Sequence, residues 1–505
     1  MHHAEIVVVG AGPAGLGAAL VLAGHGADVL VVDEQARPGG QIYRQPPEGF
    51  TVPSAGVGYA AGKELLTRAA TAKGIHWRTG TVAWGIFGAR TPLDPYGFEP
   101  GDGESASGLV VALAGPSGIQ RVEASRILLA PGAYDLPVAF PGWTLPGVMA
   151  AGGVQAFVKA QGLVPGRRFV LAGAHPLLLV IAEQLLAAGA DLAAVAFAQP
   201  RPAVVEGLRD LAALRGNWMR LRDAVGPLLR LRRADVPVHT GTVVTAAEGE
   251  RNLERVRLAR VDRHWRPVAR GSLEFSCDTL ALGYGFVPAS ELSRQAGCEH
   301  RWRPEAGGWI ARHDAWLRST QPSISVAGEL TGVAGAEQAL EEGRLAALGI
   351  LQDLGRLSPA RAEAAAAPVR RRLATLRRFS TVVQRRFAPR HEALALLATD
   401  ATVICRCEEI TAGGVRAALR DNFHIGTADA LKLLTRVGMG PCQGRMCMLG
   451  VSHLIAAETG RDLARIGTYR ARPPAKPIPL AALADAASER LGMRENGEEP
   501  APGMG

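Results

Sequence analysis

The chain has 505 residues, 48% of them apolar and 20% charged, with a formal charge of +9. That balance is ordinary for a folded globular protein, excludes a disordered or collagenous chain, and at this length suggests about three domains. No apolar run reaches the ~18 residues of a membrane span, because the best candidate, 169–198, is broken by His175, Pro176, Glu183 and Asp191.

The chain starts Met-His-His-Ala and enters a strand at once, which leaves no room for a signal or transit peptide. The expectation is therefore a cytoplasmic protein. Residues 5–9, Glu-Ile-Val-Val-Val, read as a buried strand that runs into Gly10-Ala-Gly12-Pro13-Ala14-Gly15. An apolar helix, 16–23, and a second strand, 29–32, follow, and that strand ends at Asp33-Glu34. Gly10 permits the tight turn, Gly12 lets a pyrophosphate approach the backbone, and Gly15 allows helix and strand to pack closely. The helix N-terminus favours phosphate, and Asp33 stands about 20 residues on, where an acid bonds a ribose 2′-hydroxyl. A 2′-phosphate is disfavoured there, so FAD or NAD fits better than NADP.

A second strand–turn is expected at Phe169-Val-Leu-Ala-Gly173. Its turn fails: Gly173-Ala-His175-Pro176-Leu177-Leu178 puts His and Leu where two of three glycines belong. The expectation is a nucleotide fold without a conventional NAD(P)H site, in which Leu178 pushes the helix from its strand. Cys277 and Cys298 read as buried small residues. No Cys-x-x-Cys accompanies either fold, which excludes thiol–disulfide chemistry.

Residues 324–329, Ile-Ser-Val-Ala-Gly328-Glu329, with Gly332, Gly335, Ala339 and Gly343 after them, resemble the second flavin segment of two-dinucleotide-domain flavoproteins. There the acid binds the ribitol chain, and Glu329 stands where Asp is usual. Pro38-Gly39-Gly40-Gln41-Ile42 resembles the isoalloxazine-side loop of the same architecture. Residues 127–142 and 280–288 look like the connections into and out of an inserted NAD(P)H-type domain. The expected layout is an FAD domain at 1–145 and 280–355, and an NAD(P)-like domain with a degenerate glycine motif at 146–279.

Arginines crowd 370–390, and Val369, Leu373, Leu376, Val383 and Phe387 recur between them at helical spacing. We read 356–398 as a basic helical linker with a solvated face. A subunit contact or a peripheral contact with anionic lipid at the inner membrane is its alternative use. Nucleic acid is not indicated, for want of aromatic interleaving or a known module.

Near the C-terminus come Cys405-Arg-Cys407 and Cys442-Gln-Gly-Arg-Met-Cys447. Four soft ligands in two close pairs suit zinc or an iron–sulfur cluster. The glycines of 438–444, the charges of Arg406 and Arg445, and a helix opening after Cys447 favour the cluster. The two motifs resemble the [2Fe-2S] domain of bacterioferritin-associated ferredoxin, which would occupy 399–470 and leave 471–505 as a mobile tail.

Taken together, the chain resembles the FAD-containing alpha subunit of bacterial opine oxidases, D-hydroxyproline dehydrogenase and hydrogen cyanide synthase. It is also similar to part of heterotetrameric sarcosine oxidase and dye-linked proline dehydrogenase. The resemblance implies an α/β, Rossmann-like flavoprotein of pyridine nucleotide-disulfide reductase architecture plus a small, mainly helical [2Fe-2S] domain. It further implies an electron-transfer subunit without catalytic residues of its own, whose amino-acid substrate is oxidised on a D-amino-acid-oxidase-like partner. A small ferredoxin-like subunit and a downstream acceptor belong to that picture. Some relatives hold FMN at the boundary between the flavoprotein subunits, and in some another adenine nucleotide occupies the FAD fold. Two other readings stay open: a stand-alone NAD(P)H-dependent acceptor reductase, and a non-catalytic regulatory protein that binds nucleotide and cluster.

Overall fold

The computed structural model describes residues 2–47, 49–50, 59–88, 108–200, 218–269 and 271–490. Its first sheet is built around the strand His2–Val9, whose Ile6, Val7 and Val8 are fully buried. A strand covered on both faces reads as a continuous apolar run, which is why no alternation marks it in the sequence. This strand pairs in parallel with Val29–Val32 on one side and Gly118–Leu129 on the other. The full order runs Ile75–Arg78, Val29–Val32, His2–Val9, Gly118–Leu129, Leu109–Gly115, Val82–Gly88, and Ile324–Val326 joins beside Gly118–Leu129. The strand that leads to Glu329 is thereby brought to the same sheet end as the Gly10 turn.

The helix Pro13–Gly24 opens on a proline at its first position, where the missing N–H costs nothing. It packs against Ala336–Asp353 at a distance only glycine allows. A Cβ on Gly343 would lie 1.9 Å from the Ala14 carbonyl oxygen, and one on Gly17 would lie 2.6 Å from that of Leu340.

The strands Ala133–Asp135 and Phe286–Pro288 pair antiparallel, so the chain leaves the first unit and returns to it through adjacent strands. Between them lies a second sheet in the order Val238–Thr240, Asp191–Phe197, Arg168–Gly173, Thr279–Gly283, Val148–Ala150. An antiparallel sheet of Thr242–Glu248, Arg255–Arg260 and Leu273–Ser276 packs beside it.

The arginine-rich segment is one helix, Pro359–Phe387, capped by Ser358. Its Leu373 and Ala366 are buried against Leu345, Ala346 and Ile350 of Ala336–Asp353. Arg372 and Arg377 pair with Glu337 and Glu342 of that helix at 2.8 and 3.2 Å, and Arg370 pairs with Glu363. Acids on the neighbouring helix thus meet part of the basic face, while Arg371, Arg378, Arg385 and Arg390 stay exposed.

Residues after 398 form their own core from Ile404, Val415, Leu431, Val451 and Ile455. One short hairpin, Val403–Cys405 with Ile410–Thr411, precedes helices Ala412–Asp421, Ala428–Thr435 and Met448–Thr459. The tail up to residue 490 is not free. Ala475 donates its amide to the Trp84 carbonyl at 2.7 Å, Lys476 pairs with Glu34, and Leu480–Arg490 is helical. Ile478 and Leu483 pack on Trp84, so apolar burial holds a segment whose Pro- and Ala-rich composition suggests mobility. Residues 491–505 of the expected tail lie outside the described residues. Among the described residues, no helix is long and apolar enough to cross a membrane.

Candidate functional site

Gly10, Gly12 and Gly15 do three different jobs. Gly10 has φ +102°, and a Cβ there would be 2.2 Å from the Ala130 carbonyl oxygen. A Cβ on Gly15 would be 1.8 Å from the Gly10 carbonyl oxygen. Gly12 differs: its nearest neighbour to a Cβ is the Gly40 Cα at 3.8 Å, and Gly12 lines a large cavity. Two glycines thus let the chain fold, and the third keeps a space open. Pro13, Ala14, Asp33, Glu34, Gly40, Gln41, Gly328, Glu329 and Ala339 line the same cavity, whose volume is about 820 Å³.

Asp33 accepts from the Ala11 amide at 2.6 Å and from the Gln35 amide at 2.7 Å. Burial pushes its pKa up, and the two amides oppose that shift. The carboxylate is oriented by the turn it serves, with lone pairs remaining for a ribose. Glu34, next to it, is paired with Lys476.

Glu329 accepts from the amides of Ala334 at 2.8 Å and Gly335 at 3.1 Å. These amides lead into the helix Ala336–Asp353, the place where a helix dipole favours an anion. The carboxylate acts as a stand-in anion at that helix start, so the donor set fits a phosphate-bearing ligand. Enclosure raises its pKa to about 7, against the pull of those amides. The neighbouring acid Glu342 accepts from Gly328, Thr331 and Gln338 and pairs with Arg377.

In the second unit the degenerate turn is filled. The His175 Nδ1 accepts from the Leu177 amide at 3.2 Å, and its ring meets Phe286 edge-on at 4.9 Å. Desolvation lowers its pKa to about 4, so the ring is neutral at physiological pH. Leu178 is fully buried, and the helix is not pushed from its strand as expected. Gly283, on the adjacent strand, makes the room: a Cβ there would be 2.7 Å from the Leu178 Cδ2. Gln199 turns inward to donate to the Ala174 carbonyl at 2.8 Å.

The four C-terminal cysteines lie as two facing pairs. The Cys405 thiol faces Cys447, and the Cys407 thiol faces Cys442. Among the described residues, no three His, Cys, Asp or Glu side chains close on one point as the ligands of a single ion do. The loops fit around the thiols only because of glycine. Gly438 and Gly444 both have φ +82°, and a Cβ on either would be 2.4 Å from the Tyr469 ring. A Cβ on Gly440 would be 2.2 Å from that of Cys407. Cys447, beside it, and the amides of Gly438, Glu408 and Cys407 bring the Cys405 pKa down to about 6 against burial, while Cys447 is pushed well up. Four thiols ringed by amides are a donor set for a thiolate-bound cluster.

The two centres share a wall. Arg406 and Met446, from within the cysteine loops, line the cavity that Gly12 and Glu329 line. Arg406 lies over the Trp143 ring at 5.5 Å, and the Trp143 indole donates to the Val403 carbonyl at 2.6 Å. Arg445 lies over the Tyr134 ring at 5.7 Å, pairs with Glu291 at 3.4 Å, and donates to the Ala475 carbonyl at 2.6 Å.

Several cavity residues carry no local signal in the sequence. Phe379, Val383 and Phe387 come from the supposed linker, Lys476 from the supposed tail, and Lys159 from a π-turn at Phe157–Gln161. Such turns often mark functional sites, but residue spacing does not reveal them.

Residues 4–343 match the family model described as pyridine nucleotide-disulphide oxidoreductase, and residues 399–487 match that of the sarcosine oxidase A3 domain. Hydrogen cyanide synthase subunit HcnB of Pseudomonas aeruginosa is 36% identical over 488 residues, 96% of this chain and 99% of that one. The opine oxidase A subunit of Agrobacterium tumefaciens is 36% identical over 499 residues, 95% of this chain and 91% of that one. L-proline dehydrogenase from P. horikoshii shares the fold, with a TM-score of 0.67 at 19% identity over 95% of this chain and 79% of that one. The chain belongs to the pyridine nucleotide-disulphide oxidoreductase family and, within it, to the group that contains HcnB and the opine oxidase A subunits.

Proposed function

We propose that this chain is the FAD- and [2Fe-2S]-bearing electron-transfer subunit of a heteromeric dehydrogenase. The substrate class is a secondary amine or amino acid of the opine, hydroxyproline, proline, glycine or sarcosine type. Its oxidation takes place on a D-amino-acid-oxidase-like partner subunit, with FMN at the boundary as a further carrier, and a small ferredoxin-like subunit or another acceptor downstream. The location is the cytoplasm, including its inner-membrane face.

The observation that carries this reading is the shared wall: Arg406 and Met446 of the cysteine loops border the cavity that Gly12, Asp33 and Glu329 shape for a dinucleotide. A flavin takes up an electron pair and a thiolate-bound cluster takes electrons singly, so the two together turn hydride-level oxidation into one-electron steps. The chain's own residues do the holding. Gly12 leaves the phosphate space open, Asp33 offers a ribose acceptor, and Cys405, Cys407, Cys442 and Cys447 would ligate the cluster. Trp143 and Tyr134 pack against Arg406 and Arg445 at that boundary.

The test is anaerobic reconstitution with the partner flavoprotein and a secondary amino acid. Substrate should produce a reduced [2Fe-2S] EPR signal from this chain in the complex and none from the chain alone. Substrate oxidation by the isolated chain at the rate of the complex would overturn the reading.

A further inference from the structure

Among the described residues, three cations on the cavity wall meet no anion: Arg406, which lies over the Trp143 ring, and Arg44 and Lys159. Arg44 comes from the loop that follows Gly40, and Lys159 from the π-turn of the second unit, so the pair bridges the two nucleotide folds. Arg44 donates through Nη2 to the Gln35 side-chain oxygen at 3.0 Å, and its Nε is buried without an acceptor. Lys159 donates to the Ile42 carbonyl.

The acids on the cavity wall are engaged elsewhere. Asp33 holds the Ala11 and Gln35 amides, Glu34 pairs with Lys476, and Asp135 accepts from the Gly152 amide at 3.0 Å. Glu291 pairs with Arg445, Glu305 with Arg303, and Glu329 holds the Ala334 and Gly335 amides. Among the described residues, none of these carboxylates is hydrogen-bonded to or paired with Arg44 or Lys159. Two like charges on the wall of a largely apolar recess lose hydration, and a protein tolerates that where an anion completes the site. The lowering of the Lys159 pKa to about 8, by burial first and by Arg44 second, agrees with this geometry.

We infer that Arg44 and Lys159 form a phosphate-binding subsite of the cavity. A guanidinium fork and an ammonium are the pair of groups that suits a phosphate's dispersed oxygens. The phosphate has two sources: the pyrophosphate of the dinucleotide itself, or a second phosphate-bearing ligand held beside it. The first source rests on the dinucleotide reading above; the second does not.

The experiment compares the full chain with Arg44→Met, Lys159→Met and the charge-keeping Arg44→Lys and Lys159→Arg, after thermal melts establish that each is folded. FAD affinity is measured by fluorescence, and inorganic pyrophosphate is titrated calorimetrically into FAD-loaded and nucleotide-free protein. If the dinucleotide supplies the phosphate, either Met variant loses at least about tenfold in FAD affinity. Pyrophosphate should then bind only the nucleotide-free wild type, and the charge-keeping variants should recover most of the loss. If a second ligand supplies it, FAD affinity is unchanged, and pyrophosphate binds the FAD-loaded wild type but neither Met variant. A chain that binds no FAD at all refutes the flavin reading, while pyrophosphate binding to it still decides the subsite. Folded Met variants with wild-type affinity for both FAD and pyrophosphate overturn the inference.

Discussion

The Tyr469 hydroxyl lies 3.9 Å from the Cys447 sulfur, and the same ring closes the space over Gly438 and Gly444. Tyr469 is thus both the hydrogen-bonding neighbour of one candidate ligand, its donor once that sulfur is a thiolate, and the floor under the loop that carries the second cysteine pair. Its phenol is held well above its usual pKa, by burial first and by the nearby thiols, so it remains a donor at any physiological pH. A donor to a ligating sulfur stabilises the more negative, reduced cluster. Tyr469→Phe should therefore keep two irons per chain and move the cluster midpoint to more negative potential in an EPR-monitored titration. Tyr469→Ala should cost about 3–5 kcal/mol and shed the cluster, because the loop loses its packing. An unchanged midpoint in Tyr469→Phe would remove the hydroxyl from any tuning role.

The cysteines divide into two chemical groups. Burial pushes the Cys277 thiol up to about 12 and raises that of Cys298, so both are inert, whereas Cys405, Cys407, Cys442 and Cys447 face one another. Serine at any of the last four should abolish iron, acid-labile sulfide and visible cluster absorption while FAD stays bound. Serine at Cys277 or Cys298 should leave both cofactors in place. Stoichiometric zinc without sulfide in anaerobically purified wild type would defeat the cluster assignment.

Much of this site is legible because its chemistry is written in short motifs. Gly10, Gly12, Gly15 and Asp33 are fixed by a turn and a strand end that adjoin each other, and the cysteine pairs each lie within one loop. What spacing does not show is pairing over long sequence distance. Lys476 meets Glu34 and Arg356 meets Glu5 across nearly the whole chain. Helix Pro359–Phe387 is visible as an amphipathic basic helix, but its periodicity does not say that Phe379, Val383 and Phe387 end up on a cavity wall. Leu178 breaks the glycine motif in plain sight. Its packing consequence is hidden because the relieving residue, Gly283, belongs to a strand far along the chain. Glu329 stands where the resemblance expects a ribitol-binding acid, and its longer arm accepts from the amides of its own loop.

Gly12 and Gly15 should respond differently to substitution. A side chain at Gly12 meets open cavity, whereas one at Gly15 meets the Gly10 carbonyl. Gly12→Val should fold with a thermal midpoint near that of the nucleotide-free wild type and hold no FAD. Gly15→Val should lose about 3 kcal/mol or more of stability, because backbone must move to admit it. The check is cofactor content by mass spectrometry alongside thermal unfolding. FAD retained at wild-type level by Gly12→Val would show that the phosphates pass elsewhere.

Glu329 makes the nucleotide-free chain sensitive to pH. Its folded pKa is raised to about 7 from the ordinary 4.5, so the folded state holds a proton that the unfolded state has released between those values. The sign follows: stability is highest below about pH 4.5, falls as pH rises to about 7 as far as this group is concerned, and is level above that. The contribution is about 3 kcal/mol. Glu329→Gln should flatten that part of the profile. Parallel stability curves for the two proteins between pH 5 and 8 would remove Glu329 as the source.

The second nucleotide fold should fail as a nicotinamide site. His175 occupies the turn where backbone must meet a pyrophosphate, Leu178 fills the helix–strand gap, and Gln199 is turned inward onto the Ala174 carbonyl. Because His175 titrates near 4, no pH between 6 and 9 should charge it and open the turn. Anaerobic stopped-flow mixing of the isolated chain with NADH or NADPH should leave the flavin oxidised on the timescale on which the complex is reduced by its amino-acid substrate. His175→Gly alone should not restore reduction, since Leu178 and Gln199 still occupy the remaining space. Fast bleaching of the wild-type flavin by either nucleotide would instead make this chain a self-contained NAD(P)H-dependent reductase, with the partner subunit unnecessary for electron entry.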